Sequence, residues 1–552
     1  MSLPSSRLDA QPTAQARVDP AWLLSLLAVL LISFPTLFWG FGRDQGNLGY
    51  MGWMLTRGKW PYLATWDSNF PGVVLIQAAE ILLFGQSMFA FRVFDLIALL
   101  LTVSFLYAIA RYLANRWAGL CAAVSYALLY LSLGYWHTGQ REGYATLFTL
   151  AGMWALLRYR QSLARKVGKG LRWLVAAGLA GGCAFLIRPQ FALLLLGLLG
   201  WTLWQDMSER RPDPMGTPLR VVSPFGNLAI LTGLFALPIL LWIVLYAFNG
   251  GLNEFLATVI SYNLQVHSNI QQDLADIWSN FTQFVPLFLW VGTAWLVLTL
   301  KRGEQRSRYA LLLFGVLVLD LAARLIERKC WEYHRIPVFA LASAMGSAGM
   351  GLALSWLMSG MSRRRKVAIV AVILFGFLLW FRTASPWRTL GSVISTGSIE
   401  GDFPKQTMYR VFTLETDYEV AQYVKEKTNP DDRIQVWGGA ATIYYLAQRE
   451  ASSRFQASAS LVAHRRGGDL IPLQERWRQE FLAELHNRPP EYFIVEDKDW
   501  ATYMGLAEDQ NSYELLVEFT ELNDWVKRNY YLDGVIGNFR LYARTLPSFD
   551  GR

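Results

Sequence analysis

Long apolar stretches recur through the first 384 residues of the chain and are separated by short polar segments. A stretch of about 17–25 apolar residues is long enough to cross a bilayer as a helix. Eleven spans are predicted, near 21–41, 88–110, 117–136, 144–158, 171–187, 190–205, 226–248, 284–300, 309–326, 336–359 and 367–384. Charged residues make up only 17% of the chain, below the roughly one quarter of a soluble protein. The sequence therefore predicts an α-helical polytopic membrane protein.

The charges between the spans predict its orientation. Alternate loops are rich in basic residues, namely Arg111 to Arg116; Arg158, Arg160, Arg165, Lys166, Lys169 and Arg172; Arg210, Arg211 and Arg220; Lys301, Arg302, Arg306 and Arg308; and Arg363, Arg364, Arg365 and Lys366. Basic loops stay on the cytoplasmic side of a membrane. We therefore expect a cytoplasmic N-terminal tail, residues 1–20, a retained first span rather than a signal peptide, and an extracytoplasmic region after residue 384. Such a protein belongs in the inner, or plasma, membrane.

The region 385–552 differs in charge from the membrane region 21–384. It holds 19 basic and 25 acidic residues, whereas the rest of the chain holds 32 basic and 17 acidic residues. The basic excess thus lies in short loops, which indicates topology and not a nucleic-acid partner. Helical spacing over 416–426 and strand patterns at 433–437, 492–495 and 539–542 predict a soluble α/β domain.

The three cysteines, Cys121, Cys183 and Cys330, form no Cys-x-x-Cys pattern. The sequence therefore predicts neither a disulfide framework nor a zinc site.

The first extracytoplasmic loop, residues 42–87, carries the most informative pattern. Its part between Arg43 and Gly72 is too polar to span, and the run Val73–Phe84 is amphipathic, as is typical of a helix lying in the membrane interface. Asp44 follows the first span directly. A carboxylate there is placed to take a proton from an acceptor hydroxyl while a lipid-borne donor approaches from the bilayer. The alternative is that Asp44 only ends the span or pairs with Arg43.

The order of motifs in this loop resembles a known superfamily. Asp44-Gln45-Gly46 is followed by Gly58, Pro61-Tyr62, Trp66-Asp67 and Pro71-Gly72. This pattern is similar to that of the GT-C glycosyltransferases, which use polyprenyl-phosphate-linked sugars. It looks closest to bacterial members related to protein mannosyltransferases and lipid A aminoarabinose transferases. The resemblance extends to about residue 390 in the rhythm of loops and spans.

The resemblance implies specific roles. Asp44 is the expected general base, and Gln45, Tyr62 and Asp67 are expected substrate contacts. Asp67 has a second interpretation, because an Asp before a helix often caps its first turn. Members commonly have Glu where this chain has Gln45, so the resemblance assigns no cofactor and leaves binding of a divalent metal open.

Basic residues are usually found on the cytoplasmic side of a membrane protein. Several lie on the expected extracytoplasmic side of this chain, where an anionic donor would account for their presence. The candidates for binding the donor phosphate are Arg141, Arg188, Arg328, Lys329, Tyr333, His334 and Arg335. Arg offers a planar fork of donors that suits phosphate. The alternative for each is a contact with lipid headgroups or an ion pair with Glu142, Glu327 or Glu332. Glu142 is interpreted either as a second acidic group of the site or as the partner of Arg141 or Arg188.

Three functions compete. The first is an inverting glycosyltransferase that moves a sugar from a polyprenyl-phosphate donor to a lipid, glycan or protein acceptor. The second is a transporter or lipid flippase, but such proteins tend to show repeated halves and charges at mid-membrane, and neither is seen. The third is a structural or assembly protein of the envelope, which leaves the pattern from Asp44 to Gly72 unexplained. The glycosyltransferase is the function that the sequence favours.

Overall fold

The computed structural model describes residues 18–164, 170–208, 224–266, 305–329, 331–359, 414–462, 470–499 and 510–545, with isolated positions between 274 and 296 and at 362. The predicted spans 284–300 and 367–384, and the predicted boundary between residues 384 and 385, lie almost entirely or entirely outside these residues.

The membrane region is helical. Its helices are α1 (Pro20–Ser33), α2 (Arg43–Thr56), α3 (Gly72–Phe84), α4 (Met88–Leu113), α5 (Arg116–Leu131), α6 (Arg141–Ala164), α7 (Gly170–Ile187), α8 (Ala192–Ser208), α9 (Pro224–Phe248), α10 (Leu252–Leu256), α11 (Asn263–Gln265), α12 (Gln305–Glu327) and α13 (Ile336–Met358). Short 3₁₀ segments cover Phe34–Phe38, Pro189–Phe191 and Glu332–Arg335, and a π-helical segment, Ala257–Tyr262, joins α10 to α11.

Most predicted spans coincide with these helices. Within the described residues, six helical stretches are long and apolar enough to cross a membrane: Pro20–Phe38, Met88–Leu113, Gly170–Ile187, Phe225–Phe248, Arg308–Glu327 and Glu332–Met358. The spans expected at 117–136 and 190–205 correspond to the shorter apolar helices Arg116–Leu131 and Pro189–Trp204. The span expected at 144–158 is part of the longer helix α6.

Three of the predicted basic segments, in the part of the chain that the structure describes, have residues near one end of the bundle. Arg306 donates to the carbonyl of Ala114 (3.4 Å), and Arg160 donates to the carbonyl of Thr202 (2.9 Å). Arg160 lies 19 residues after Arg141 on α6, which places the two about 28 Å apart along the helix axis. The start of α6 therefore lies at the opposite end, which we call the site end.

The C-terminal region forms one five-stranded sheet. Its strands are β1 (Arg433–Trp437), β2 (Glu450–Ala451), β3 (Tyr492–Glu496), β4 (Tyr530–Ile536) and β5 (Phe539–Arg544), and its helices are α14 (Leu414–Lys427), α15 (Thr442–Ala447), α16 (Ala459–Val462), α17 (Pro472–Asn487), α18 (Ser512–Glu518) and α19 (Thr520–Asn529). The strand order is β2-β1-β3-β5-β4, with β1 parallel to both neighbours and β5 antiparallel to β3 and β4. The predicted helix and three strands are confirmed, and β2 and β4 are additional.

The C-terminal region shares its apolar cores with segment 42–87. Tyr50 and Met54 belong to the core that contains Ile434 and Val436, and Trp66 belongs to the core that contains Trp477. Burial of apolar surface is the main favourable term in such packing. The sheet region is thereby fixed on the site end of the bundle.

Helix α2 lies in the polar first part of the first extracytoplasmic loop, where the sequence analysis placed no helix, and its glycines weaken the local signal. Gly46, Gly49 and Gly52 lower helix propensity by roughly 1 kcal/mol each. In the structure they permit close contact: a Cβ on Gly46 would lie 2.7 Å from Cβ of Thr442, and one on Gly52 would lie 2.6 Å from Cβ of Gln77. Tertiary packing on both sides of α2 therefore overrides its weak local propensity.

Candidate active site

Asp44 lies in the first turn of α2. Its side chain is accessible to solvent, yet burial raises the pKa of its carboxyl above the ordinary value, while Arg141 and a hydrogen bond with Gln140 lower it. A carboxylate that is both accessible and surrounded by protein lies in a recess. A raised pKa makes it a stronger base than a free aspartate, as proton abstraction from a hydroxyl requires.

Asp67 is the second carboxylate of this recess. Its Oδ2 accepts a hydrogen bond from Asn47 (2.7 Å) and its Oδ1 accepts one from the backbone N–H of Asn69 (2.7 Å). Burial raises the pKa of Asp67, Arg141 and Asn69 lower it, and the charge of Asp44 raises it. Helix α3 begins after Pro71 with no side-chain cap. The helix-capping interpretation of Asp67 is therefore wrong. The Asp67 carboxylate accepts hydrogen bonds from Asn69, which lies three residues before the start of α3.

Arg141 connects the two carboxylates to the opposite wall of the recess. It is the first residue of α6 and interacts electrostatically with both Asp44 and Asp67. Its guanidinium carbon lies 5.9 Å from the ring centroid of Tyr333, and it also hydrogen-bonds that side chain. One cation thus stands between two acids and a phenol.

A group of charged side chains, which we call the cationic cluster, lies on the far side of Arg141. Arg188 forms an ion pair with Glu142, which is fully buried, and donates to Nε2 of His334 at 3.0 Å. His334 is 3.6 Å from Glu142, and Glu327 is 3.8 Å from Arg188. The expected pair between Glu142 and Arg188 is confirmed.

The cluster continues toward helix α12. Arg324 is fully buried, pairs with Asp320 (3.1 Å) and donates to Gln190 (2.8 Å), whose amide oxygen also accepts from Arg188. Burial lowers the pKa of Lys329 to about 8, while Glu327 raises it and Arg188 lowers it further. Arg188, Arg324 and Lys329 are thus gathered near Arg141, and arginine and lysine side chains are common donors to phosphate oxygens.

Three expected site residues are engaged elsewhere or buried. Gln45 is buried and bonds the backbone at Gly42, Tyr135 and Thr138. Tyr62 is fully buried with its hydroxyl on the carbonyl of Asn69 (2.6 Å). Arg335 is 6% exposed, about as buried as Asp67 and Tyr333, and its charge acts on His137, so it stays a predicted substrate contact. The proposed site omits Gln45 and Tyr62, whose polar groups are engaged within the protein.

Sequence reasoning missed Asn47, Gln140 and Gln456 around the recess, and Arg324 in the cationic cluster. The position of Asn47 gave a signal, since it lies three residues after Asp44 and would share its face in a helix. Arg324 also gave one, because a charge inside an apolar run is costly and usually functional.

Among the residues that the structure describes, no three His, Cys, Asp or Glu side chains are grouped so that they hold a metal ion.

Comparison with known proteins gives a family match over part of the chain. Residues 68–242 match the family model described as dolichyl-phosphate-mannose-protein mannosyltransferase. No curated protein sequence matches the chain.

Solved structures extend the likeness over the whole chain. ArnT from Cupriavidus metallidurans bound to undecaprenyl phosphate is similar with a TM-score of 0.55 and 17% identity, covering 97% of this chain and 100% of that one. Its apo form has a TM-score of 0.56 and 16% identity, covering 95% and 98%. AglB from Archaeoglobus fulgidus, in complex with an inhibitory peptide and a dolichol-phosphate, has a TM-score of 0.48 and 12% identity, covering 96% and 75%. The chain is an integral membrane protein with the GT-C fold, as the sequence resemblance predicts.

Proposed function

We propose that the chain is a GT-C glycosyltransferase that moves a sugar from a polyprenyl-phosphate donor to a lipid, glycan or protein acceptor with inversion at the anomeric carbon. The observation that carries the proposal is the position of Arg141, between the recess of Asp44 and Asp67 and the cationic cluster. An acceptor hydroxyl at Asp44 and a lipid phosphate at the cationic cluster would then lie on either side of Arg141. The match of residues 68–242 to a mannosyltransferase family supports the same chemistry.

The reaction follows from these positions. Asp44 takes the proton of the acceptor hydroxyl, and the acceptor oxygen forms a bond to the anomeric carbon. The bond from that carbon to the phosphate oxygen breaks, and its electron pair stays on the departing polyprenyl phosphate. Arg141, Arg188 and Lys329 stabilise the charge that develops on this phosphate. A phosphate is a weak base, so the departing group needs no proton donor.

Asp67 binds the acceptor or the sugar in this scheme, and Tyr333 lies across Arg141 from it. Glu142 and His334 hold Arg188 in place, since both contact its guanidinium group. Arg188 donates to Nε2 of His334, and Nδ1 of the same ring lies 3.1 Å from the carbonyl oxygen of Lys329 and 3.3 Å from the backbone nitrogen of Trp331.

The reaction takes place on the extracytoplasmic face of the inner membrane. Arg160 and Arg306 of two predicted basic segments lie at the end of the bundle opposite Asp44, and basic loops remain in the cytoplasm. The N-terminus is then cytoplasmic and the sheet region extracytoplasmic.

Purified protein in lipid vesicles, given polyprenyl-phosphate sugars and envelope lipids, tests the proposal. Mass spectrometry follows released polyprenyl phosphate and the acceptor mass. Release together with a gain of one sugar on the acceptor supports the proposal. Accumulation of intact donor on the other side of the vesicle without release overturns it in favour of transport.

A further inference from the structure

A glutamine of the sheet region reaches the loop that carries Asp67. Gln456 is 1% exposed. Its Oε1 accepts from the backbone N–H of Trp66 (2.8 Å), and its Nε2 donates to the carbonyl of the same residue (2.6 Å). Because a backbone N–H only donates and a carbonyl only accepts, these two contacts fix which end of the Gln456 amide carries the hydrogens.

The fixed amide sets the direction of the next bond. Nε2 of Gln456 also donates to Oδ1 of Asn47 (2.9 Å). Asn47 must therefore present its oxygen to Gln456 and its Nδ2 group to Asp67, where it donates to Oδ2 (2.7 Å). The hydrogen bonds run in one direction from the sheet region to a carboxylate of the recess.

The chain of bonds ends beside Asp44. Asn47 lies three residues after Asp44 on α2, so the two side chains share a face of the helix. The loop of Asp67 is held on its other side as well, because Tyr262 packs against Trp66 (5.0 Å between ring centroids) and Asn263 donates to the carbonyl of Ser68 (2.7 Å).

We propose that Gln456 is a positioning residue for the transfer reaction, which orients the amide of Asn47 and thereby holds the Asp67 carboxylate toward the recess. The inference rests on the proposed function and extends it, because it makes the C-terminal sheet region part of the catalytic unit. Gln456 itself touches neither donor nor acceptor.

Two substitutions separate positioning from bulk stability. Gln456→Leu removes all the hydrogen bonds of the side-chain amide. Gln456→Glu keeps the shape but offers only acceptors, so Asn47 turns its Nδ2 group toward the new carboxylate and its oxygen toward Asp67. An ionised Asp67 then loses a donor and faces an acceptor, which disfavours its charged form. Gln479→Leu is the matched control, since Gln479 is exposed and its hydrogen bond among the described residues is to Glu521, at 3.4 Å.

Transfer kinetics of the full-length purified variants, with melting temperatures measured in parallel, give the test. We expect kcat to fall about tenfold to a hundredfold in both Gln456 variants, with the donor KM and the Gln479→Leu kinetics unchanged. The acid side of the pH profile of kcat moves to higher pH in Gln456→Glu. In an Asn47→Leu background, Gln456→Leu causes no further loss of kcat, because the chain of hydrogen bonds from Gln456 through Asn47 to Asp67 is already broken.

Three outcomes contradict the inference. Wild-type kcat and pH profile in both Gln456 variants overturn the positioning role while leaving the proposed function intact. Full additivity with Asn47→Leu also overturns it. Absence of transfer by the wild-type protein overturns the proposed function and this role together.

Discussion

Arg43 and Asp417 form a buried ion pair, with 3.0 Å between Nη2 and Oδ1, and the other arm of the same guanidinium binds Glu496 at 2.6 Å. All three side chains are at most 8% exposed. Arg43 directly precedes Asp44 in the chain. The ion pairs of Arg43 therefore hold the backbone next to the proposed base against the sheet region.

Loss of this cation should destabilise the protein. Arg43→Leu leaves two buried carboxylates unpaired, a change that typically costs about 3–5 kcal/mol. We expect a large fall in the melting temperature of the detergent-solubilised protein. Arg544→Leu is the control, because Arg544 and Glu491 pair at 3.2 Å with each side chain 35% exposed, and such pairs contribute about 0–1 kcal/mol. Equal melting temperatures for the two variants would contradict the assignment.

Asp499 should make stability depend on pH. Burial raises the pKa of Asp499 from 3.8 to about 7, Glu496 raises it further, and bonds from Ser512 lower it. The folded protein then holds this proton more tightly than the unfolded chain, so the contribution of Asp499 to stability is full below about pH 4 and is lost as the pH rises through about 7. Melting temperatures between pH 4 and 8 should fall less in Asp499→Asn than in the wild type. Parallel curves for the two proteins would refute this, and the exposed Asp524→Asn is the control.

Arg141 should determine use of the donor. Arg141→Ala removes a charge-assisted hydrogen bond to the departing phosphate, of roughly 1.5–3 kcal/mol, which corresponds to about a tenfold to hundredfold loss in kcat/KM for the donor. Arg57→Ala is the matched control, since Arg57 is 51% exposed and pairs with Glu450. Steady-state kinetics with varied donor measure the effect. An unchanged kcat/KM in Arg141→Ala would place the phosphate elsewhere.

Loss of the Lys329 charge should weaken use of the donor in alkaline solution. Burial lowers its pKa to about 8, so the cation is present below that pH and lost above it. We expect kcat/KM for the donor to decline as the pH rises through about 8. Lys329→Arg should retain activity to higher pH, because a guanidinium keeps its charge. The measurement is kcat/KM for the donor between pH 6.5 and 9.5 in the wild type and in Lys329→Arg. The same decline in both proteins would show that a group other than Lys329 titrates.

The membrane helices and most of the sheet follow from the sequence, because apolar runs and strand alternation are local signals. Strand β4 could not be predicted from the sequence, because Asp533-Gly534 interrupts its pattern and a bulge lies between Leu532 and Gly534. The same distinction applies to the site. The position of Asp44 after the first span gave a local signal, whereas the contact of Gln456 with Trp66 joins residues 390 positions apart. Such a contact depends on docking of the sheet region, which no pattern along the chain records.

The most direct test of the account is the rate of transfer by Asp44→Asn. The variant keeps the shape of the side chain but not its basicity, and a general base contributes typically 10²–10⁴-fold. We predict that Asp44→Asn folds with an unchanged melting temperature and loses at least about a hundredfold in kcat, while Asp524→Asn transfers sugar at the wild-type rate. Wild-type kcat in folded Asp44→Asn would contradict the account.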